Sequence, residues 1–331
     1  MHPTELWATD NGFGPRTSYT PEALSTPASR RGPKRLKGLY IVEFENGACY
    51  IGISKVDCAR RLVAHGTTYD DVIGFRVQRF AGSYSALRDR ERSLIHDAER
   101  SGIVVRNREH ALRFEGTSTL DSLVSSDEQA SWLEESADTL PDDAVSAPPT
   151  LPSSQIEGYR HRWTRFSNRP DAVELAEIVG SYLRSSVCYP QRTEAQFWSV
   201  SCLPTSNPDR LACVTLNWME TLVLFADSNG QVCASLFVDG AELPHGRLRR
   251  AVHLRRLGIK RGWITHAPGG PSQQQLIARG HKKISAMLAD PAIIRAAASL
   301  NLALMRKGRG SQAKTHCFQL ARAALSGNSD V

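Results

Sequence analysis

The chain has 331 residues, of which 41% are hydrophobic and 23% are charged, and its mean hydropathy is −0.34. This composition is typical of a globular protein, and the length predicts two domains rather than one. No window holds the ~18 consecutive apolar residues of a membrane helix, and the first residues lack the charged head and apolar core of a secretory signal. We therefore expect a cytoplasmic protein that does not bind membranes.

Seven cysteines are spread along the chain without any Cys-x-x-Cys pair or zinc-ribbon spacing. Several of them lie in apolar runs, so we expect reduced, buried side chains.

The charge distribution says more than the net charge of +7. No Lys or Arg occurs between Phe114 and Tyr159, whereas residues 160–331 contain 23 Lys and Arg against 11 Asp and Glu. Such a surplus of positive charge is the electrostatic footprint expected of a protein that binds a polyanion.

The distribution of prolines, charges and apolar runs divides the chain into four segments. Residues 1–36 lack periodic apolar positions and end in a basic run, so they are predicted to be a disordered basic arm. Residues 37–114 form a compact block. Residues 115–156 are acidic and rich in Pro and Ser, which predicts a linker with one short helix around 128–138. Residues 157–331 form a second, basic block.

Both blocks combine strands with helices, so the predicted fold class is α+β. In the first block the order β-β-α-β-α predicts a small mixed β-sheet with flanking helices, from runs at 39–44, 49–53, 57–65, 71–80 and 85–100. In the second block a helix at 171–182 precedes an antiparallel meander of about four strands (197–203, 211–216, 220–226 and 232–238). Further C-terminal helices are predicted at 276–288, 292–305 and 312–325.

The side chains that could take part in a chemical reaction are concentrated in the first block. Tyr40 and Tyr50 lie on the two arms of one predicted hairpin, within Gly-Leu-Tyr and Tyr-Ile-Gly tripeptides. The next helix presents His65 one turn after Arg61 and on the same face. On the following helix Glu91 falls within an apolar stripe, where a carboxylate is costly unless a metal ion or an arginine compensates its charge.

These residue types suit the cleavage of a phosphodiester bond. A guanidinium pairs with phosphate through two hydrogen bonds, and a phenol or an imidazole can take a proton. A hard divalent ion keeps several waters, so one Glu can hold it when phosphate supplies other ligands.

This constellation, with Asn107 after the second helix, resembles the GIY-YIG endonuclease family over about residues 37–114. The resemblance implies metal-dependent DNA hydrolysis with Mg²⁺ or Mn²⁺. It implies that Tyr40 is the general base, that Tyr50 forms hydrogen bonds in the site and that Glu91 binds the metal. Arg61, with His65 four residues on, would steady the phosphate, and Asn107 would support the geometry. Leu39 replaces the usual Ile of the first tripeptide.

The sequence leaves two details open. The family's spacing from the second tripeptide selects Arg60, whereas the spacing to His65 selects Arg61; we favour Arg61 as catalytic and expect Arg60 to contact phosphate nearby. The Asn46-Gly47 pair signals a two-residue hairpin turn, which would place the two tyrosines on opposite faces. A shared site therefore predicts a loop of three or five residues, or a bulge.

The most basic stretch of the second block is the predicted nucleic-acid-binding surface. Its members are Arg247, Arg249, Arg250, Arg255, Arg256, Lys260 and Arg261. We expect Leu248, Val252, Leu257 and Ile259 to seat the stretch on the core. Trp263 and Tyr159 are candidates for base stacking, whereas Trp198 and Trp218 lie in strand-like runs and are predicted to be core residues.

The sequence thus predicts a two-domain DNA endonuclease, with restriction or phage defence favoured over repair and mobile-element cutting. The alternatives are a nucleic-acid-binding module with an inactive nuclease fold, and a second block that senses a protein or a small ligand. A single small site cuts one strand, so double-strand cleavage requires a homodimer or two successive nicks.

Overall fold

The computed structural model describes residues 3–107, 118–135, 153–204, 207–310 and 315–326. The chain separates into two compact units, an N-terminal unit (Met1–Gly116) and a C-terminal unit (Thr117–Val331). Each unit combines an antiparallel sheet with helices, so the fold class is α+β, as predicted. Within the described ranges no single helix is both long and apolar enough to cross a membrane; one pair of successive helices passes the same test jointly, with a 71° bend between them.

The N-terminal unit is built around a four-stranded sheet. Its elements in chain order are α1 (Pro3–Asp10), β1 (Thr17–Ser18), α2 (Pro21–Ser25), a 3-10 turn (Ala28–Arg30), β2 (Gly38–Phe44), β3 (Cys49–Ser54), α3 (Cys58–Thr68), β4 (Val72–Arg79) and α4 (Tyr84–Arg100). The strand order is β1-β4-β2-β3 and every strand pair is antiparallel. The predicted mixed sheet is thus corrected to an antiparallel one, to which a single bridge between Cys49 and Val105 adds a parallel contact.

The two helices of the predicted nuclease block cover opposite faces of this sheet. Side chains alternate along a strand, so Tyr40, Val42 and Phe44 share one face with Leu62 of α3. Leu39, Ile41 and Ile51 share the other face with three buried residues of α4, namely Leu87, Leu94 and Ile95. Strand β3 is an edge strand, so groups on both sides of the sheet are near each other at that edge.

The β2–β3 hairpin has the geometry that a shared tyrosine site requires. Tyr40 pairs with Gly52 and Val42 with Tyr50, so the two tyrosines point to the same face. The Phe44 N–H donates to the Ala48 carbonyl at 3.0 Å, so the residues beyond this pair form a three-residue loop, Glu45 to Gly47, in which Gly47 adopts a φ of +82°. The prediction of an odd loop length is confirmed, because the Asn-Gly pair ends a three-residue loop rather than forming a two-residue turn.

The N-terminal segment is ordered, contrary to the predicted disordered arm. Trp7 of α1 and Phe13 are buried against the α4 side of the sheet, and the Trp7 indole N–H donates to Asp97 at 2.9 Å. Strand β1 extends the sheet beside β4, and Leu24 and Leu36 pack on the α3 side. The prediction was wrong because these apolar residues are single and irregularly spaced, so no periodic pattern marks them.

The C-terminal unit carries a six-stranded antiparallel sheet in the order β5-β6-β7-β8-β10-β9. Its strands are β5 (Trp198–Cys202), β6 (Arg210–Leu216), β7 (Met219–Ala226), β8 (Val232–Asp239), β9 (Lys260–Arg261) and β10 (Gln273–Arg279). Its helices are α5 (Ser126–Glu135), α6 (Ser153–Ser167), α7 (Ala172–Ser186), α8 (Pro190–Thr193), α9 (Arg247–Arg256), α10 (His281–Leu288), α11 (Pro291–Arg306) and α12 (Phe318–Leu325), with 3-10 turns at Thr119–Ser122 and Ala267–Gly269.

The predicted four-strand meander corresponds to β5 through β8, and two further strands extend the sheet. Residues 276–279, predicted as the start of a helix, belong to β10, because helix α10 begins only after Gly280. Helix α12 begins at Phe318, and residues 312–314 of the predicted last helix lie outside the described residues. All seven cysteines are buried, as expected.

Part of the predicted acidic linker belongs to the C-terminal unit. Leu120, Val124 and Trp132 are buried, and Arg306 of α11 donates to Gln129 of α5 at 2.6 Å. Residues 118–135 are therefore a docked element, which the acidic composition of the whole stretch concealed. Residues 115–117 and 136–152 of the predicted linker lie outside the described residues.

Candidate active site

Tyr40, Tyr50 and His65 form a compact aromatic group at the β3 edge of the N-terminal sheet. The Tyr40 hydroxyl and His65 Nε2 are hydrogen-bonded at 3.0 Å. The ring centroids of Tyr50 and His65 are 4.3 Å apart, and those of the two tyrosines are 6.4 Å apart. Tyr40 is buried, whereas Tyr50 and His65 are half-buried, so the group opens to solvent on the side of Tyr50 and His65.

A glycine in β3 makes room for Tyr40. A Cβ atom at Gly52 would lie 2.4 Å from Cζ and from the hydroxyl oxygen of Tyr40. Such an approach is a steric clash, so only glycine lets the Tyr40 ring lie over the edge strand and reach His65. Gly52, in the second tripeptide, is therefore needed for the packing of Tyr40, which lies in the first tripeptide.

Helix α3 carries Arg61 and His65 to the same place. Asp57 caps its N-terminus by accepting a hydrogen bond from the backbone N–H of Ala59 at 3.0 Å. The charge of Arg61 lowers the pKa of both Tyr40 and His65, an effect that requires proximity to both. Arg60 and Arg61 are both exposed, but it is the charge of Arg61 that acts on the two site residues, which favours Arg61 as the site arginine.

Two neighbouring residues of α3 show which side of the helix faces the sheet. Leu62 is buried, whereas Val63 is 49% exposed. Consecutive helical residues are about 100° apart around the helix axis, and the burial of Leu62 turns its neighbour outward.

The tyrosine and the histidine have pKa values shifted in opposite directions. Burial raises the pKa of the Tyr40 hydroxyl. The negative charges of ionised Tyr50 and Glu91 raise this pKa further, and the positive charge of Arg61 partly offsets the increase. Burial, followed by the positive charge of Arg61, lowers the pKa of His65 to about 4. At neutral pH the pair therefore consists of a protonated phenol and a neutral imidazole, and both shifts disfavour transfer of the phenol proton to the imidazole in the free protein.

Glu91 lies on α4, the helix on the other face of the sheet, yet its negative charge acts on Tyr40. Its side chain is half-buried, whereas its position on an apolar stripe predicts a buried one. Tyr84, two turns earlier on the same predicted apolar stripe, is 41% exposed with the Lys55 ammonium 3.5 Å from its ring centroid. This side of α4 thus runs from the core to the surface, and Glu91 lies at the transition.

Asn107 is a buried clamp on the edge strand. Its Oδ1 accepts from the Ile51 backbone N–H at 2.9 Å, and its Nδ2 donates to the Ile51 carbonyl at 2.6 Å. The amide takes the place of a neighbouring strand at β3. Since Ile51 lies between Tyr50 and Gly52, Asn107 fixes the backbone that carries both.

The donor set determines which kind of metal ion the site could hold. Among the described residues no group of three or more His, Cys, Asp and Glu side chains is arranged to hold a metal ion. A single half-buried carboxylate beside a phenol is instead the type of site at which Mg²⁺ keeps most of its waters and takes other ligands from a phosphate. Glu91 fits that requirement.

Tyr19 supports the site although no sequence motif marks it. Its hydroxyl donates to the Leu62 carbonyl of α3 at 2.8 Å, and its ring lies where a Cβ at Gly66 would be. A glycine directly after His65 within a helix was the available signal, because an aromatic ring from elsewhere in the chain occupies that space.

The basic stretch of the C-terminal unit forms α9 and β9. Six of its seven basic side chains are exposed: Arg247, Arg249, Arg255, Arg256, Lys260 and Arg261. Arg250 is half-buried, and its guanidinium donates to the Pro244 carbonyl and to Gln274.

The seating of α9 differs from the prediction. Leu254 and Ile259 are buried and His253 pairs with Asp290 at 3.1 Å, whereas Leu248 and Val252 are 78% and 43% exposed. The buried or half-buried face of the helix is formed by positions 250, 253, 254 and 257. It is therefore rotated away from the face that was predicted to include Leu248 and Val252.

The aromatic candidates of this unit fall into two groups. Trp198 is buried, as predicted, and Tyr159 is buried as well. Trp218, predicted to be core, is 64% exposed, because Asn217 and Trp218 adopt positive φ angles in the tight turn between β6 and β7. Trp263 is 95% exposed.

Comparison of the chain with protein-family models, with curated proteins and with solved structures finds no match in any of the three.

Proposed function

We propose that the chain is a metal-dependent DNA endonuclease whose active site is the Tyr40, Tyr50, Arg61, His65 and Glu91 cluster, as the resemblance to the GIY-YIG family implies. The observation that carries the proposal is the 3.0 Å hydrogen bond between Tyr40 and His65. Two residues from different elements are joined there, where the charges of an arginine on α3 and a glutamate on α4 both act on the tyrosine. A merely structural tyrosine does not require this set of charges around it.

The proposed reaction uses the tyrosine and the histidine as a proton relay. A water beside the scissile phosphate gives a proton to the Tyr40 oxygen, while Tyr40 gives its own proton to His65 Nε2. The hydroxide attacks phosphorus, the bond to the leaving oxygen breaks, and a solvent proton completes the leaving hydroxyl. His65 then releases its extra proton to solvent, which restores the neutral pair. Bound phosphate favours this transfer, because its negative charge offsets the effect of Arg61 on protonated His65.

The remaining residues neutralise charge and hold geometry. The Arg61 guanidinium is placed to pair with a phosphate oxygen as negative charge develops on it. Glu91 would hold Mg²⁺ or Mn²⁺, which when bound lowers the pKa of water and neutralises phosphate charge. Tyr50 lines the open side of the site, and Asn107 positions the strand that carries it.

DNA is the proposed substrate because the basic α9 and β9 surface offers repeated phosphate contacts. A nuclease module joined to a separate basic unit favours a role in restriction or phage defence inside the cytoplasm, with double-strand cleavage by a homodimer or by two successive nicks. The second candidate is a nucleic-acid-binding module without catalysis, favoured by the raised pKa of Tyr40, which keeps the phenol protonated in the free protein.

The test compares the wild type with Glu91→Ala and Glu91→Gln on supercoiled plasmid, branched DNA and RNA, with and without Mg²⁺. We expect Mg²⁺-dependent cleavage of DNA by the wild type and a loss of at least about 100-fold in both variants, because the single carboxylate ligand is removed. DNA affinity should remain unchanged.

Asp89→Asn is the matched control, since it removes an exposed carboxylate from the same helix, one that pairs with Arg92 at 3.2 Å. This variant should cleave as the wild type does. If the wild type cleaves no form of nucleic acid while binding DNA, the binding-module alternative replaces the nuclease.

A further inference from the structure

One face of the C-terminal sheet forms a cleft that, in the part of the chain the structure describes, is open along β7, β8 and β10. Val223, Ser235 and Ile277 lie side by side on these strands in register, and Phe225 extends their row. The opposite face carries the buried leucines that pack against α7, α10 and α11. The cleft has a volume of about 760 Å³, within the range of pockets that enclose organic ligands.

A segment held by side-chain hydrogen bonds forms one wall of this cleft. The backbone of 262–266 runs beside β10 and is held by two glutamine side chains. Gln275 Oε1 accepts from the Ile264 N–H at 3.2 Å, while its Nε2 donates to Ser235 at 2.7 Å. Gln273 bonds to both the N–H and the carbonyl of His266, at 2.8 and 2.7 Å. These amides hold the wall in place beyond the end of the β9 ladder.

The wall presents an indole to solvent. Trp263 is 95% exposed and the adjacent Ile264 is 56% exposed, although their backbone is fixed. Tryptophan is the largest apolar side chain, and an exposed one on rigid backbone at the mouth of a cleft is a typical recognition surface. Nearly the whole ring is available to a flat partner.

The charges around the indole indicate what that partner is. Lys260 and Arg261 precede Trp263 closely, are exposed, and line the cleft with Arg279 at its other end. The lining also contains three acidic residues: Glu220 pairs with Arg210, Asp227 accepts from two backbone N–H groups of its own turn, and Asp209 is exposed. Cations that alternate with an aromatic ring match a polymer of phosphates and flat bases.

We propose that this cleft binds unpaired bases of DNA, with Trp263 stacked on a base and with Lys260 and Arg261 on the neighbouring phosphates. The inference rests on the proposed action on DNA and adds what the second unit recognises. A paired duplex hides the faces of its bases, so the cleft selects single-stranded or unstacked positions and directs the nuclease to them.

The test measures binding by the full chain carrying Glu91→Ala, so that cleavage does not interfere. The probes are a labelled DNA strand of about ten nucleotides, the same strand with abasic sites in place of bases, and the matching duplex. Adding Trp263→Ala should weaken binding of the normal strand by about 10-fold or more, because stacking on one base is lost. Binding of the abasic strand should not change.

Two further variants separate stacking from a general loss of structure. Trp263→Phe should restore most of the affinity for the normal strand. Val173→Ala, which truncates another exposed apolar side chain on α7, should have no effect. Since Trp263 is almost fully exposed, its replacement should leave the thermal unfolding temperature unchanged.

The inference is overturned if Trp263→Ala binds the normal strand as its parent does, if the abasic strand binds as tightly as the normal one, or if neither strand binds. Cleavage by the wild type with Mg²⁺, measured separately, distinguishes this failure from that of the proposed function. Trp263-dependent binding without cleavage supports the cleft and contradicts the nuclease.

Discussion

Tyr40 and His65 are joined by one hydrogen bond. Their pKa values lie further apart than those of a free phenol and a free imidazole. Free phenol and imidazole differ by about 3.5 pKa units. Burial widens this gap, because it penalises both the phenolate and the imidazolium. The pair is therefore fixed in its neutral form until a bound phosphate or a cation changes the local charge.

We predict that His65 stays neutral well below the pH at which a free imidazole is protonated. Its pKa of about 4 should appear in the pH dependence of its NMR signals. Because folding lowers the pKa below 6.5, the unfolded chain binds the proton more tightly. The stability that His65 contributes is complete above about pH 6.5 and is lost as the pH falls towards 4.

Arg61→Gln and Arg60→Gln form a matched pair for this measurement. Removing the charge of Arg61 should raise the pKa of His65, whereas removing that of Arg60, one position away on the helix, should leave it unchanged. A His65 titration near 6.5 in the wild type contradicts the burial of its ring. Equal effects of the two variants contradict the choice of Arg61.

Among the secondary-structure elements, the N-terminal helix completes the core on the α4 side of the sheet. Trp7 of α1 meets Leu39 and Ile41 of β2 and the apolar stripe of α4. Its indole N–H also bonds to Asp97, and this hydrogen bond contributes most to the lowered pKa of that carboxyl group. A segment outside the predicted nuclease block thus stabilises the helix that carries Glu91.

We therefore predict that Trp7→Ala lowers the free energy of unfolding by about 3 kcal/mol or more, the usual cost of removing a buried tryptophan. Urea unfolding of the full chain measures this. Leu6→Ala is the control, because the neighbouring Leu6 is 52% exposed and its loss should cost little. Similar effects of both variants contradict the docking of α1 on the sheet.

Over the molecule as a whole, charge is segregated along the chain. The basic side chains of α9 and β9 lie in one unit, and the site with Arg61 and Glu91 lies in the other. Under the proposed function we therefore expect attraction to phosphates to be independent of the site with Arg61 and Glu91, so that affinity and cleavage can be changed separately.

The salt dependence of DNA binding tests this separation. The double variant Arg255→Gln with Arg256→Gln should reduce the slope of log affinity against log salt by about two, one for each phosphate that is no longer neutralised. The rate of cleavage of bound DNA should be unchanged. Fluorescence anisotropy at several salt concentrations gives the slope.

Arg295→Gln with Arg322→Gln is the control, because both are exposed arginines of the same unit that already face Glu242 and the ring of Phe318. Its slope should equal that of the wild type. Equal reductions in both double variants indicate a uniform charge effect and contradict a specific phosphate surface on α9.

Local features of the fold could be predicted from the amino-acid sequence. Strand parity required an odd hairpin loop if Tyr40 and Tyr50 were to share a face, and the connection between β2 and β3 satisfies this requirement. The start of α3 near Asp57 and the meander from β5 to β8 were predicted in the same way. Caps, turns and two-residue alternation depend on neighbours in the chain, so their signals are local.

Only packing between distant elements brings the residues of the candidate site together. Glu91 acts on Tyr40 because two helices on opposite faces of the sheet reach the same edge strand. Trp7 is buried because α1 packs against the sheet, and Trp218 is exposed because the turn between β6 and β7 adopts positive φ angles. The apolar pattern around each tryptophan indicates neither outcome. Burial depends on contacts between elements far apart in the chain, and local periodicity does not encode those contacts.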